Sequence, residues 1–153
     1  PTFVGFFVYS LPHIAGQLFV DFDMNRILKN ILVFISGFIL GSCANMGLII
    51  TGNQLIPFTD GVNPIDATMW ELKYFLFPFL AHSVGTFVGA FIVARYTASY
   101  HLVLSLSVGV LFLIGGISMV FIMPAPLWFI IVDLLLAYIP MGWLGWKLTG
   151  QDK

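Results

Sequence analysis

Residues 127–138 read Leu-Trp-Phe-Ile-Ile-Val-Asp-Leu-Leu-Leu-Ala-Tyr, an apolar run that contains one carboxylate, Asp133. With its continuation to residue 146, the run is long enough to cross a bilayer, which takes about 20 residues. A carboxylate inside such a span costs roughly 2.5–3.5 kcal/mol on insertion scales. Asp133 therefore requires a hydrogen-bonding partner, a bound proton or a functional role.

The whole chain shares this apolar character. Of its 153 residues, 59% are hydrophobic and 8% are charged, whereas soluble domains carry about 25% charged residues. A soluble fold of this length could not bury so much apolar surface, so we expect lipid to be its solvent. The net charge of −1 argues against a nucleic-acid partner. The single cysteine, Cys43, excludes an intrachain disulfide and a cysteine zinc cluster.

Four segments are long and apolar enough to be membrane spans, at residues 27–50, 75–94, 102–122 and 127–146. In lipid each span must satisfy its own backbone hydrogen bonds, so the predicted fold class is all-α, a four-helix transmembrane bundle. We interpret residues 24–153 as one four-span membrane domain.

The basic residues indicate how the bundle is oriented. In a four-span topology, five of them fall on one side, and Lys73 alone falls on the other. The five are Arg26, Lys29, Arg95, Lys147 and Lys153. The positive-inside rule therefore predicts that both ends of the chain are cytoplasmic.

The one long outer loop, residues 51–74, is predicted to hold a short interfacial helix. Asn63 would cap this helix and Pro64 would occupy its first position. Pro78 is expected either in the first turn of the second span or at a kink in a helix continuous from Pro64. Pro140 is expected to kink the fourth span.

The N-terminal region has two further ambiguities. Residues 1–23 lack a basic n-region, and Met24 with its following basic residues resembles a translation start. We interpret residues 1–23 as a non-native or peripheral helical extension, with a fifth span as the alternative. Leu40-Gly41-Ser42-Cys43 resembles a lipobox, which would make Cys43 a lipidation site. The apolar run continues to Ile50, however, and favours a span.

Each span places a polar residue in its outer half at a similar height, namely Asn45, His82, Ser118 and Asp133. A rise of 1.5 Å per residue places all four roughly 6–10 Å below the outer interface. The shared height predicts an intramembrane polar cluster in which the imidazole of His82 donates to the carboxylate of Asp133. Such groups are functional candidates, but many only join helices, at about 0.6 kcal/mol each. Few polar residues occupy the inner half, which argues against a through-channel.

Small residues predict where the helices pack. Pairs spaced by four residues permit close helix approach, and we expect them to serve packing within the bundle rather than a dimer interface. The glycines concerned are Gly37 and Gly41, Gly85 and Gly89, and Gly115 and Gly116.

We expect no metal and no cofactor. One histidine, one aspartate and one asparagine are a thin ligand set for a metal. A two-histidine haem site would need His13 or His101, and His101 is predicted at the opposite face of the membrane. No nucleophile is placed beside His82, because Ser83 points off its face. A non-enzymatic protein is therefore favoured.

From Met24 to about Leu148 the chain resembles an uncharacterised family of small bacterial four-span integral membrane proteins. The resemblance implies a bacterial inner (cytoplasmic) membrane and brings no established activity. The stretches that carry it are Met24–Asn30, Ala44-Asn45-Met46-Gly47, Phe77-Pro78-Phe79-Leu80-Ala81-His82, Gly85-Thr86-Phe87-Val88-Gly89-Ala90, Gly115-Gly116-Ile117, Pro124-Ala125-Pro126-Leu127-Trp128-Phe129, Asp133-Leu134 and Ala137-Tyr138-Ile139-Pro140-Met141.

Three function classes follow. The first is an accessory or structural subunit, with the lipid bilayer and either a second copy or a larger membrane complex as partners, and it requires exposed helix faces and no cavity. The second is a small-solute or proton-linked binding or transport unit, which requires a wet pocket at Asp133 and His82. The third, a membrane-embedded enzyme, requires a nucleophile or metal ligands that converge on His82.

Overall fold

The computed structural model describes residues 26–151, and within this range the chain is helical and has no strand. Its α-helices are α1 (Arg26–Leu55), α2 (Leu76–Tyr96), α3 (His101–Ile122), α4 (Leu127–Leu136) and α5 (Ile139–Lys147). Two short 3-10 helices, Ala67–Met69 and Leu72–Phe75, lie in the connection between α1 and α2. The predicted extension at residues 1–23 lies outside the described residues.

Four helical segments are long and apolar enough to cross a membrane, namely Arg26–Leu55, Leu72–Tyr96, His101–Ile122 and Leu127–Lys147. The predicted fold class, an all-α bundle of four candidate spans, is confirmed. The first helix ends at Leu55 rather than at residue 50, and it runs without a break through Cys43. We call the end of the bundle formed by residues 56–75 and 123–126 the loop end, and the opposite end, with Arg26 and Lys147, the basic end.

At the basic end, α1 is tied to the turn between α2 and α3. The side-chain oxygen of Asn30 accepts a hydrogen bond from the amide of Ala98 at 2.7 Å, and its amide nitrogen donates to the hydroxyl of Ser99 at 3.1 Å. Tyr100 then adopts a left-handed conformation with φ of 58° and starts α3. The short turn therefore reverses the chain beside the start of α1.

The fourth span is broken rather than kinked. Pro140 has no amide hydrogen for the carbonyl of Leu136, and its ring would clash with that carbonyl in a continuous helix. Accordingly α4 ends at Leu136, α5 begins at Ile139, and Tyr138 between them has φ of −118° and ψ of −78°. The amide of Ala137 still donates a hydrogen bond to the backbone carbonyl of Asp133 at 2.9 Å. Such breaks are tolerated at membrane depth where the surrounding protein covers the backbone.

The loop between α1 and α2 differs from its prediction. No helix starts at Asn63, because its side chain accepts a hydrogen bond from the amide of Ile65, two residues on, and closes a turn instead. Asp66 caps the first 3-10 helix by accepting from the amide of Thr68 at 3.0 Å. Pro78 lies in the first turn of α2, where its missing amide hydrogen has no intrahelical partner to lose.

Four glycines form the contact between α1 and α2, which we call the glycine seam (Gly37, Gly41, Gly85 and Gly89). A Cβ atom at Gly41 would lie 2.6 Å from the carbonyl oxygen of Gly85. One at Gly37 would lie 2.9 Å from the carbonyl oxygen of Gly89, and one at Gly89 would lie 2.9 Å from that of Gly37. The two backbones are thus in direct contact, and this packing is intramolecular.

The buried core lies between α2, α3 and α5. Ala90, Val93 and Val108 form its centre. The buried hydroxyl of Ser105 shares its hydrogen between the carbonyl oxygens of Ala90 at 3.1 Å and Gly142 at 2.8 Å. One side chain of α3 thereby joins α2 to α5, and these three helices form the framework on which the site is built.

Candidate functional site

Asp133 lies at the centre of a buried hydrogen-bonded group of three side chains, which we call the Asp133 network. Asp133 is buried, with 5% of the whole residue exposed. Its Oδ1 and Oδ2 atoms each lie 2.9 Å from Nδ1 of His82, and its Oδ2 accepts a hydrogen bond from the hydroxyl of Tyr138 at 2.9 Å. The carboxylate thus has partners on α2 and at the α4–α5 break, which meets the need created by its burial.

The break in the fourth span aims Tyr138 at this site. In a continuous helix, residues five positions apart point in different directions, but the non-helical backbone at Tyr138 turns its side chain so that the hydroxyl reaches Asp133. Its ring stacks on the imidazole of His82, with centroids 5.7 Å apart and planes inclined by 28°. On α3, Gly116 leaves room for the tyrosine, because a Cβ atom there would contact the Tyr138 hydroxyl and ring.

The hydrogen bonds of the network use Nδ1 of His82 and do not involve its Nε2 atom. When the carboxylate is ionised and the imidazole is neutral, Nδ1 carries the hydrogen that it donates to Asp133, and Nε2 is then an acceptor. Nε2 has no hydrogen-bond partner within residues 26–151. The His82 side chain is 23% exposed and that of Asp133 is 7% exposed. His82 therefore lies between the buried carboxylate and the space beside it.

That space is a cavity of about 440 Å³, which we call the loop-end cavity. His82, Asp133, Asn45 and Gly116 line its deep end. Its walls are mostly apolar and include aromatic and sulfur-containing side chains, while the polar residues Asn53 and Lys73 line it nearer the loop end. The aromatic and sulfur-containing side chains include Phe58, Trp70, Phe77, Phe129, Met46 and Met119. Mostly apolar walls around a few polar groups that point to one place are typical of small-molecule sites.

Three of the four residues predicted to form the polar cluster line the loop-end cavity, and the fourth does not. The structure brings His82 and Asp133 together, and Asn45 lines the same cavity. The side chain of Asn45 makes no hydrogen bond within the described range, and its Cβ packs against Gly85. Inclusion of Ser118 was wrong, because its hydroxyl is exposed and donates to the carbonyl of Ile114 in its own helix at 2.8 Å. Ser118 has a suitable height, but it lies about 200° around α3 from Gly116.

Sequence reasoning missed Tyr138. Its signal was its position two residues before Pro140, since a proline frees the preceding turn from helical geometry. A tyrosine in an apolar span also carries a hydroxyl that needs a partner when it is buried. Of the two glycines on α3 that were predicted to serve helix packing, only one does so. Gly116 contacts Tyr138, whereas a Cβ atom at Gly115 would meet no atom within 4 Å.

The groups around the cavity limit its chemistry. Within residues 26–151, no three histidine, cysteine or acidic side chains lie close enough together to hold a metal ion. Among the described residues, those that line the cavity include no serine, threonine or cysteine, and Cys43 is exposed on α1. The site can therefore accept a hydrogen bond or a proton at His82 and can surround an apolar molecule.

The comparisons with known proteins add no assignment. No protein-family model, no curated protein and no solved structure matches the chain.

Proposed function

We propose that the protein is a multi-pass membrane protein that binds a small solute in the loop-end cavity. The observation that carries this proposal is the position of the Asp133 network. It lies at the deep end of a 440 Å³ cavity and leaves Nε2 of His82 as an acceptor beside that cavity. An accessory subunit would need exposed helix faces but no cavity, so the cavity favours the binding class.

The acceptor defines what the solute must offer. A hydroxyl or an amine of the solute would donate a hydrogen bond to Nε2, and the Asn45 amide would lie beside it. The ionised Asp133 would stabilise a proton or an ammonium group held at His82. The rest of the solute would pack against aromatic and methionine side chains, which adapt to different shapes.

Binding is better supported than conduction. On the basic-end side of the network, the space between the helices is filled by Tyr138, Val93 and Val108, which are fully buried. The Ser105 hydroxyl in the same core is occupied by two backbone carbonyls. In the described conformation these buried side chains close the direct way from the cavity to the basic end.

The proposal includes an orientation. Arg26, Lys29, Arg95 and Lys147 lie in the terminal turns of their helices on the basic side, and the positive-inside rule would place that side in the cytoplasm. The cavity would then open in the outer half of the membrane. A bacterial inner membrane is the location that the family resemblance implies.

Phenol and anisole form a matched probe pair, because they have similar shapes and only phenol can donate a hydrogen bond. We would measure their binding to the protein in lipid nanodiscs by saturation-transfer NMR, with empty nanodiscs as the reference. Phenol should bind about tenfold more tightly, the effect of one hydrogen bond of about 1.4 kcal/mol. Equal binding of the two probes would contradict recognition by His82.

Two variant pairs locate the binding. Ile49 lines the cavity and its neighbour Ile50 does not, so Ile49→Trp should abolish phenol binding and Ile50→Trp should not. His82→Phe should remove the preference for phenol over anisole. His101→Phe is its control, because the ring of His101 bonds to the backbone carbonyl of Ala94 instead. Phenol binding that survives Ile49→Trp would overturn the proposal.

An accessory role is the second candidate, and the exposed face of α1 is the observation that favours it. Along α1 the buried residues are Gly37, Gly41 and Gly52. Its large side chains, such as Ile31 and Ile39, are exposed. A partner helix could cover this face, and so could lipid, so the cavity carries the main proposal. Co-purification of a stoichiometric membrane partner after cross-linking at Ile39 would favour the accessory role.

A further inference from the structure

The side of the loop-end cavity between α1 and α3 is loosely closed. Helix α1 packs against α2 along its length but touches α3 at few points. One of these is the ring contact between Phe38 and Phe112, with centroids 5.3 Å apart. From there toward the loop end, both helices contribute side chains to the cavity wall instead of to each other. We call this region the open seam (residues 45–53 of α1 and 116–122 of α3).

Exposure of the lining residues shows where the cavity meets the surroundings. Met46 on α1 is 58% exposed and Met119 on α3 is 42% exposed, although both line the cavity. At the loop end the lining residues Ala67, Tyr74 and Phe75 are buried, whereas Pro64 and Lys73 are exposed. The cavity is therefore partly covered toward the loop end and reaches the molecular surface at the open seam.

The cover at the loop end is held by specific contacts. The amide of Ala67 donates to the carbonyl of Pro124 at 2.9 Å and so connects the loop to the α3–α4 turn. The rings of Phe58, Trp70 and Tyr74 pack together, with Phe58 centred 4.8 Å from each of the other two. This packing makes the loop a fixed layer between the cavity and the water beyond it.

The positions of the polar and apolar side chains that line the cavity are consistent with entry of a ligand through the open seam. Its polar lining groups lie at the two ends, with Asn45 and His82 at the deep end and Asn53 and Lys73 toward the loop end, and the side chains between them along the open seam, such as Met46, Ile49 and Met119, are apolar. A molecule dissolved in the bilayer could insert one polar end toward His82 while its apolar body stays between Met46 and Met119.

We propose that the ligand of this site is a lipophilic alcohol or amine that enters from the bilayer through the open seam. This inference rests on the proposed function, and it adds the chemical class of the ligand and its route. The ligand carries one hydrogen-bond donor on an apolar chain or ring. The donor binds Nε2 of His82, and the apolar remainder extends toward lipid between α1 and α3.

A fluorinated ten-carbon alcohol with a terminal trifluoromethyl group would test the ligand class, and its methyl ether serves as the control without a donor. Bound and free probe would be resolved by ¹⁹F NMR in proteoliposomes. We expect the alcohol to bind at least tenfold more tightly than the ether, and this difference to disappear in His82→Phe but not in His101→Phe. If phenol binds and the long alcohol does not, the inference fails while the proposed function stands. If neither binds, both fail.

The route is tested by kinetics, because the path of entry changes rates and not equilibrium affinity. Met46→Trp combined with Met119→Trp should narrow the open seam and slow alcohol exchange at least tenfold, measured by ¹⁹F exchange spectroscopy. Met69→Trp is the matched control, because Met69 is exposed on the loop and does not line the cavity. Single Met46→Phe and Met119→Phe variants, expected to slow exchange several-fold, cover the case in which the double variant loses phenol binding. Exchange as fast as in Met69→Trp, in variants that still bind phenol, would overturn entry through the open seam.

Discussion

The two sides of α1 are packed in opposite ways. Toward α2, glycine faces glycine and the backbones touch, so no space is left in the glycine seam. Toward α3, beyond the Phe38–Phe112 contact, the helices stand apart around a cavity of about 440 Å³. The same helix thus has one side that is fully packed and one side that leaves the bundle incomplete.

The difference shows what determines where a membrane protein leaves room for a ligand. Lipid provides no hydrophobic drive that would pull α1 onto α3, so helices approach only where their surfaces fit. Small residues let α1 approach α2, whereas larger side chains such as Met46, Ile49 and Met119 hold the other side open. The glycine seam holds α1 in place, and the cavity exists because α1 is anchored on that one side.

The largest expected effect comes from the glycine seam itself. Gly41→Leu would place a Cβ atom 2.6 Å from the carbonyl oxygen of Gly85, and a backbone atom cannot move aside as a side chain can. We expect the free energy of unfolding to fall by about 3 kcal/mol, at the upper end of typical overpacking costs. Denaturation by SDS, followed by circular dichroism, would measure the change.

Gly47→Leu is the control in the same helix. A Cβ atom at Gly47 would meet no atom within 4 Å, so the leucine side chain would extend into lipid. The free energy of unfolding should then be unchanged or rise by up to about 1 kcal/mol, since leucine favours a helix more than glycine does. Equal losses in both variants would mean that α1 is not anchored by the glycine seam.

Asp133→Leu should give the next largest effect, on the cavity side of the comparison. The change removes both hydrogen bonds of the carboxylate and leaves the hydroxyl of Tyr138 buried without a partner. We expect a loss of about 1–3 kcal/mol in the free energy of unfolding. A melting temperature and detergent behaviour equal to those of the wild type would contradict the pairing.

Much of this architecture could be predicted from the sequence, because lipid imposes strong rules. Span length and hydropathy predict the four helices, and the cost of a buried carboxylate predicts a partner for Asp133. The depth of a residue in a span does not reveal the direction of its side chain around the helix axis. Ser118 was therefore predicted to belong to a cluster that it does not join. Pro140 was correctly expected to disturb the span, but a kink and a break aim Tyr138 in different directions.

The cavity itself was beyond prediction from the sequence. Its existence depends on how far α1 stands from α3, a distance that no single residue determines. The glycine pairs in α1 and α2 indicated close helix approach. Whether that approach brought α1 onto α2, α3 or a second copy depended on the rotation of all the helices. The loop was also mispredicted, since the side chain of Asn63 bonds to the amide of Ile65 and forms a turn where a helix start was expected.

A smaller effect is expected at the glycine pair of α3, which flanks the open seam. Gly116→Ala would bring a Cβ atom against the hydroxyl and ring of Tyr138, which is fully buried and cannot move freely. We expect a loss of about 1 kcal/mol in the free energy of unfolding and a weaker preference for phenol over anisole. Gly115→Ala is the control, because its Cβ atom would meet no neighbour within 4 Å. Equal effects of the two changes would show that Tyr138 does not rest on Gly116.

The smallest effect concerns the loop that covers the end of the open seam. The hydroxyl and the amide of Thr68 both donate to Asp66, and these hydrogen bonds hold the pKa of its carboxyl below the usual value. A lowered folded-state pKa stabilises the loop above the unfolded pKa of about 3.9, and this contribution is lost as the pH falls through the folded pKa. NMR titration of the Asp66 carboxyl carbon should therefore give a midpoint below 3.9. Thr68→Val, which removes the hydroxyl and keeps the amide, should raise that midpoint toward the ordinary value. A wild-type midpoint at or above the ordinary value would mean that Asp66 does not cap the helix at Ala67–Met69, and that the cover over the cavity depends on its aromatic packing and on the bond between Ala67 and Pro124.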